Sequence, residues 1–362
     1  MLLFILVGAF AAAVKYDFQP QKRKRIVRGM AVAMFLQFII LPLIGFCVIK
    51  MFALDRVSGI MLQVLTSSPG GAYSNWWCSL FNADLMLSVA STMVSNILSV
   101  LFLPLSLLIY LNAAYGVNAL EGLRWDLLLI TIAVVTTAVL SGVLVSMRYI
   151  DTKPPERQER LRDRLQLGGN FAGLILIIGG FIFSSTSSDP IWDRNPTFYA
   201  ANCLPPVLAM VLATVIASLP CLGLRKPERV AVVIECIFQN VGVGMAAALT
   251  LFSGSDRARA AGSPLFYGVA QAVVIPAFLV TTWKLGWTYA PANDPLWKVL
   301  RHSYQQSPIA VDDGTPSSGT PPLGASVGAN KHPPADWMEF APASLQSPRS
   351  SGIDPAAQPR GI

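Results

Sequence analysis

Glu235 is the residue most out of place in this chain, a carboxylate inside the apolar stretch RVAVVIECIFQNVGVGMAAALTLF. Gln239 and Asn240 follow it at i+4 and i+5, and Gly242 and Gly244 come next. An ionisable group within a segment of this hydropathy is costly and by default marks an ion or substrate pathway. A second interruption stands in MLQVLTSSPGGAYSNWWCSLF, where Pro69, Gly70 and Gly71 break the helical ladder and Ser74 and Asn75 follow within a turn. Half-helix N-termini favour anions and freed carbonyls favour cations, so two such breaks, far apart in the chain, are the pattern of an inverted-repeat transporter. Glycine and proline are also common in membrane helices, where small residues pack without any ligand. A single break reads that way. Two breaks flanked by carboxamides and hydroxyls, one beside a buried glutamate, read as a site.

Other chemistries lack their residues. The two histidines, His302 and His332, fall outside the apolar segments, which leaves no His-based triad or metal site. No GxSxG elbow is found outside the Ser/Pro/Gly-rich tail, where GASVG at 324–328 follows no strand, and Walker and HExxH patterns are absent, so an enzyme is not expected. The five cysteines, Cys47, Cys78, Cys203, Cys221 and Cys236, are odd in number and show no CxxC spacing, so buried free thiols are expected rather than zinc ligands. A nucleic-acid reading needs basic and aromatic residues interleaved on a water-exposed face, and no such face is found.

The elements that position the two breaks are membrane helices. Hydrophobic residues make up 53% of the 362-residue chain and charged ones 13%, too little polar surface for a soluble protein of this length. Apolar runs at 29–49, 58–80, 85–111, 126–147, 165–185, 197–222, 229–252 and 262–289 each suit a tilted helix through roughly 30 Å of hydrocarbon. The opening MLLFILVGAFAAAV, about 14 residues or roughly 21 Å of helix, is short for a span. A basic cluster follows it rather than precedes it, which favours a shortened first helix over a cleaved signal peptide and brings the expectation to about nine spans.

Lys22 to Arg28, Arg148 to Arg164 and Arg225 to Arg229 carry the bases on alternate loops, so these loops are expected in the cytoplasm, with the N-terminus outside. Arg257 and Arg259, near the last outside loop, run against that count. The net charge of +7 follows from this topology. From Pro291 onward Ser, Pro, Gly and Ala dominate, and residues 291–362 are expected to be a disordered cytoplasmic tail. Trp337, Met338 and Phe340 within it are read as scattered aromatics rather than a motif, and Trp76 and Trp77 as packing or lipid-facing residues.

At the two breaks the sequence resembles the bile acid:sodium symporter family over roughly residues 15–290. The family's PGG break followed by Ser-Asn is matched by Ser74 and Asn75. The Ser and Thr of the next helix are matched by Ser88 and Thr92. Its Glu-x-x-x-Gln-Asn is matched by Glu235, Gln239 and Asn240, and an earlier Gln by Gln37 in LQFIILPL.

The resemblance implies an all-α membrane fold with an inverted-repeat core (27–113 and 197–290), two broken helices that cross, and a smaller panel (1–18 and 125–185). It implies one sodium held by Ser74, Asn75, Ser88, Thr92 and Glu235. A second would be held by Gln37, Glu235, Gln239 and the backbone carbonyls of Cys236 and Phe238. Oxygen donors of these kinds suit a hard monovalent cation, and one carboxylate shared by two cations leaves positive charge that suits an anionic substrate.

Asn240 is the candidate substrate contact; a hydrogen bond tying the two broken helices together is the other role open to it. Gly71-Ala72-Tyr73-Ser74 departs from relatives with Thr before Ala-Ser-Asn, a difference on the substrate side. The expected function is sodium-coupled symport of an organic anion in the plasma membrane rather than an organelle envelope. A non-transporting receptor and a metalloid carrier using Cys78 are the alternatives.

Overall fold

A computed structural model of the protein describes residues 23–71, 73–116, 125–158, 191–302 and 304, with isolated helical positions between 160 and 182. The opening segment, most of the span expected at 165–185, and the chain beyond residue 304, including Trp337, Met338 and Phe340, lie outside the described residues.

The described chain is helical. A long first helix runs as α1 (Arg23–Phe35), a π-helical turn (Leu36–Ile40) and α2 (Leu41–Met51). Two half-helices follow, α3 (Arg56–Ser67) and α4 (Tyr73–Leu80), and then the long α5 (Leu85–Tyr115). After α6 (Trp125–Val145) the order repeats: long α7 (Pro196–Ala217), half-helices α8 (Lys226–Ile237) and α9 (Val241–Leu251), and long α10 (Gly254–Lys284). Among the described residues the four unbroken helices Lys24–Met51, Leu85–Tyr115, Pro196–Ala217 and Gly254–Lys284 are long and apolar enough to cross a membrane. The chain is an all-α membrane protein.

The π turn has a local cause. Pro42 lacks the N–H that would close a regular turn onto Phe38, and the Leu41 N–H instead reaches back five residues to the Leu36 carbonyl. The widened turn carries Gln37. Both half-helix pairs stop where the chain turns extended, at Ser68 (ψ 157°) and at Phe238 (ψ 92°).

Buried apolar side chains from α1 and α2, α3, α7, α8 and α10, including Leu36, Leu65, Val232, Ile234, Tyr267 and Trp283, form the main core. A second cluster joins Ile60, Val64, Leu103, Leu107, Val243 and Ala247 to Ala138 of α6, which seats α6 against α3, α5 and α9. Helices α2 and α3 approach closely at Gly45, where an added Cβ would stand 2.2 Å from Thr66 Oγ1 and 2.9 Å from its Cβ. Thr66 is β-branched and its hydroxyl is bonded to the Leu62 carbonyl at 2.9 Å, so it has little room to move. Gly45→Ala is therefore expected to destabilise the folded protein by about 1–3 kcal/mol, the usual range for overpacking. An unchanged thermal midpoint for that variant would contradict the close approach.

The boundary drawn at residue 290 falls too early. Residues 291–302 are folded, with α11 at Leu296–Arg301. Asn82, in the left-handed region at φ 58°, donates to the carbonyls of Val299 (3.1 Å) and His302 (3.2 Å) and accepts from the Tyr304 N–H (2.9 Å). The Tyr304 hydroxyl donates to Asp294 and, with Lys298, holds that carboxyl below the usual range. Local composition misjudged the segment because its partner lies more than 200 residues upstream. Its end of the molecule also holds the Arg25–Glu228 ion pair (3.6 Å) and the Arg28 bond to the Leu222 carbonyl (3.0 Å).

Candidate cation site at the crossing of the broken helices

The two interruptions meet. Gly70 and Gln239 form an antiparallel bridge, the Gly71 N–H donates to the Phe238 carbonyl (3.0 Å), and the Asn240 N–H donates to the Pro69 carbonyl (3.0 Å). Backbone groups that would be left unpaired at membrane depth by each break are satisfied by the other. Glycine is required on the first strand of the crossing: a Cβ at Gly70 would lie 2.9 Å from Glu235 Oε2, and one at Gly71 2.6 Å from the Phe238 ring.

Glu235, in the last turn of α8, is fully buried. Its Oε1 accepts from Ser74 Oγ (2.6 Å), Ser88 Oγ (2.6 Å) and Thr92 Oγ1 (3.1 Å), and Thr92 also reaches Oε2 (3.0 Å). Asn75 Oδ1 lies 2.8 Å from Ser88 Oγ and 3.3 Å from Thr92 Oγ1. Ser88 and Thr92 are one turn apart on α5, and Ser74 and Asn75 open α4, so the four expected positions converge on the carboxylate from two helices. Each hydroxyl has a single proton to give, and Glu235 Oε1, Oε2 and Asn75 Oδ1 compete for them. The nest is rich in oxygen lone pairs around one negative charge, which is the chemistry of a hard cation site.

On the other side of the crossing, Gln37 Nε2 donates to the Ser68 carbonyl (3.1 Å) and approaches Gln239 Oε1 (3.5 Å). Gln239 Nε2 donates to the Cys236 carbonyl (2.7 Å). Gln37 and Gln239 are both fully buried, and Gln37 Oε1 has no hydrogen-bond partner among the described residues. A buried amide oxygen left so costs about 1–3 kcal/mol, and a cation contact removes that cost. The Cys236 and Phe238 carbonyls each accept one N–H already and keep a second lone pair.

Asn240 stands apart from both oxygen clusters. Its Oδ1 caps α9, accepting from the Gly242 N–H (3.1 Å) and the Val243 N–H (3.3 Å), while its backbone N–H makes the tie to Pro69. The part of Asn240 in linking the broken helices is thus played by its main chain. Cys78 is buried on α4, one turn beyond Ser74.

Sequence reasoning missed two contributors. Ser68 offers its hydroxyl to Gln239 Oε1 (3.4 Å), and Ser95 Oγ accepts from the Gly70 N–H (3.3 Å). Ser95 lies seven residues after Ser88 on the same face of α5, a spacing that was available as a signal.

Residues 1–187 match the Sodium Bile acid symporter family. The chain belongs to that family. The matched stretch carries Gln37, Ser74, Asn75, Ser88 and Thr92 and ends before Glu235, which the crossing brings to them. Among its relatives, the hepatic sodium/bile acid cotransporter of Homo sapiens is 24% identical over 216 residues, 59% of each chain. The sodium-dependent organic anion transporter of Mus musculus is 24% identical over 274 residues, 75% of this chain and 70% of that protein. The ileal sodium/bile acid cotransporter of Cricetulus griseus is 25% identical over 248 residues, 67% of this chain and 66% of that protein. The match thus covers less than two thirds of the hepatic and ileal relatives' lengths.

Proposed function

We propose that the protein is a sodium-coupled symporter of an organic anion in the plasma membrane, working by alternating access. The observation that carries this reading is the crossing itself, which closes three hydroxyls and an amide oxygen onto one buried carboxylate. Ser74, Asn75, Ser88, Thr92 and Glu235 hold one sodium. Gln37, Glu235, Gln239 and the carbonyls of Cys236 and Phe238 hold the second.

Binding both cations fixes α4, α5 and α8 relative to one another, so the ions stabilise the geometry in which the anion is received. Asn240, at the head of α9, is the substrate contact in this reading; its partly exposed amide faces the positive end of a half-helix. The core at 27–113 and 197–290 moves against the panel at 1–18 and 125–185. The transported anion is bile-acid-like, a sulfated steroid or a small carboxylate, the classes suggested by the names of the relatives.

Sodium that binds only the folded protein raises its stability by mass action, about 2.7 kcal/mol at 100 times the dissociation constant. The purified protein is expected to melt several degrees higher in sodium than in choline or potassium at equal ionic strength. Vesicles containing it are expected to accumulate a labelled sulfated steroid or carboxylate only with an inward sodium gradient. Equal midpoints in all three salts, together with sodium-independent uptake, would sink the reading.

A further inference from the structure

Beyond α10 the chain turns back on the helix it has just left. Gly286, at φ 67°, reverses its direction, and residues 291 and 292 return to the last turn of α10. There Trp283 Nε1 donates to the Pro291 carbonyl (2.9 Å) and Lys284 Nζ to the Ala292 carbonyl (3.0 Å). Helix α11 begins four residues later and is bonded at its far end to Asn82, in the turn between α4 and α5. It is therefore strung between the end of α10 and the α4–α5 turn, at the depth where the last long apolar helix ends.

The two faces of α11 differ. Val299 is fully buried and Leu300 packs against the main core, whereas Leu296 is 43% exposed and Trp297 64%. Lys298 and Arg301 are exposed as well, and Trp297 and Arg301, four residues apart, share a side. An indole this open to its surroundings suits a membrane boundary, where the ring meets acyl chains and the N–H stays wet. The charges beside it are unbalanced. Lys284, Lys298 and Arg301 face one carboxylate, Asp294, which is bonded to Lys298 (3.0 Å) and Tyr304. Arg301 has no carboxylate partner among the described residues.

We infer that α11 is an interfacial anchor: it lies in the plane of the leaflet at this end, sinks Leu296 and Trp297 into the headgroup boundary, and holds an anionic phospholipid headgroup on Arg301 and Lys298. The loop charges assign this end to the cytoplasm, whose leaflet carries the anionic lipids. A lipid surface is the fitting occupant because the bonds to Trp283 and Lys284 fix the depth of the segment, and six residues offer far less area than a stable protein interface needs. The anchor goes beyond the transport reading and needs neither sodium nor substrate. Through Asn82 it braces the turn from which α4 and α5 carry Ser74, Asn75, Ser88 and Thr92 to the crossing.

The test uses the full-length protein labelled with fluorotryptophan, in nanodiscs of phosphatidylcholine with and without phosphatidylglycerol. Fluorine NMR resolves the eight tryptophans, and the line missing from Trp297→Phe is that of Trp297. A phosphatidylcholine spin-labelled near its headgroup is expected to broaden this line, and a water-soluble gadolinium chelate to leave it sharp. Spin-labelled phosphatidylglycerol at the same trace level is expected to broaden it at about one fifth of the concentration, the preference that one basic side chain near an anionic surface supplies. Arg301→Gln should lower that preference about fivefold while broadening by phosphatidylcholine stays as it was. Raised ionic strength should lower it in wild type.

A Trp297 line broadened by the chelate and untouched by spin-labelled lipid would put this face in water, open to a soluble partner, and overturns the inference. Equal broadening by the two lipids, or a preference that survives Arg301→Gln, overturns the assignment of the headgroup to Arg301. Loss of the sodium effect on melting, with these lipid results intact, would count against the transport reading alone.

Discussion

Glu235→Gln is expected to abolish the effect of sodium on thermal stability and to reduce sodium-driven uptake to background. The substitution keeps size, shape and an acceptor oxygen for Ser74, Ser88 and Thr92 while removing the sole formal charge described at the crossing. Breaking a buried ionic contact by removing one partner costs about 3–5 kcal/mol, so the apparent sodium affinity should fall roughly 100-fold or more. The sign reverses without sodium. A desolvated carboxylate whose counter-ion has left is a liability, and a neutral amide in its place removes the penalty. In choline the variant should therefore melt above wild type, and in high sodium below it. Melting curves for the two proteins in the two salts decide the matter; a variant that keeps the sodium response places the cation elsewhere.

Gly70→Ala is expected to separate the two cation positions. The added methyl would sit 2.9 Å from Glu235 Oε2 and 3.7 Å from Gln37 Nε2, on the side of the carboxylate that faces the second oxygen set. Ser74 and Ser88 on Oε1 are not in its way. Overpacking of this kind costs about 1–3 kcal/mol in stability, which a folded membrane protein survives. Sodium-driven uptake should be lost, and stabilisation by sodium should follow single-site saturation where wild type follows a steeper two-site curve. A two-site curve in the variant would show that Gly70 does not border the second position.

Which parts of this molecule are legible in its sequence follows from how local their causes are. Proline and glycine clustered beside carboxamides and hydroxyls mark both interruptions in composition, whereas proline alone does not, since Pro104, Pro205 and Pro264 stand inside continuous helices; the misplaced carboxylate of Glu235 is as plain. Gln37 was found by its resemblance to a family position; the π turn that presents it follows from Pro42 and is visible only once the turn is suspected. Ser68 and Ser95 were missed because a serine in an apolar helix usually bonds back onto its own turn. Ser95 does so as well, donating to the Thr92 carbonyl at 3.0 Å, and its spacing of seven residues from Ser88 marks the face it shares with the site but not the second bond to Gly70. The folded segment at 291–302 reads as tail for a similar reason, since its bonds to Asn82 reach across more than 200 residues and its composition shows only the local ones to Asp294. Pairing of Gly70 with Gln239 is a register between distant strands, which no local pattern contains.

That pairing also dictates a timetable. Ser74 and Glu235 are 161 positions apart. At about 5–20 residues per second of synthesis, the first break waits roughly 8–30 s for the second. During the wait the groups later bridged by Phe238, Gln239 and Asn240 have no partner from that half of the chain. A polar break of this kind cannot rest against lipid. The nascent first half must therefore linger in a water-accessible or chaperoned place, and its half-helices commit to the bilayer only when the second break is delivered beside them.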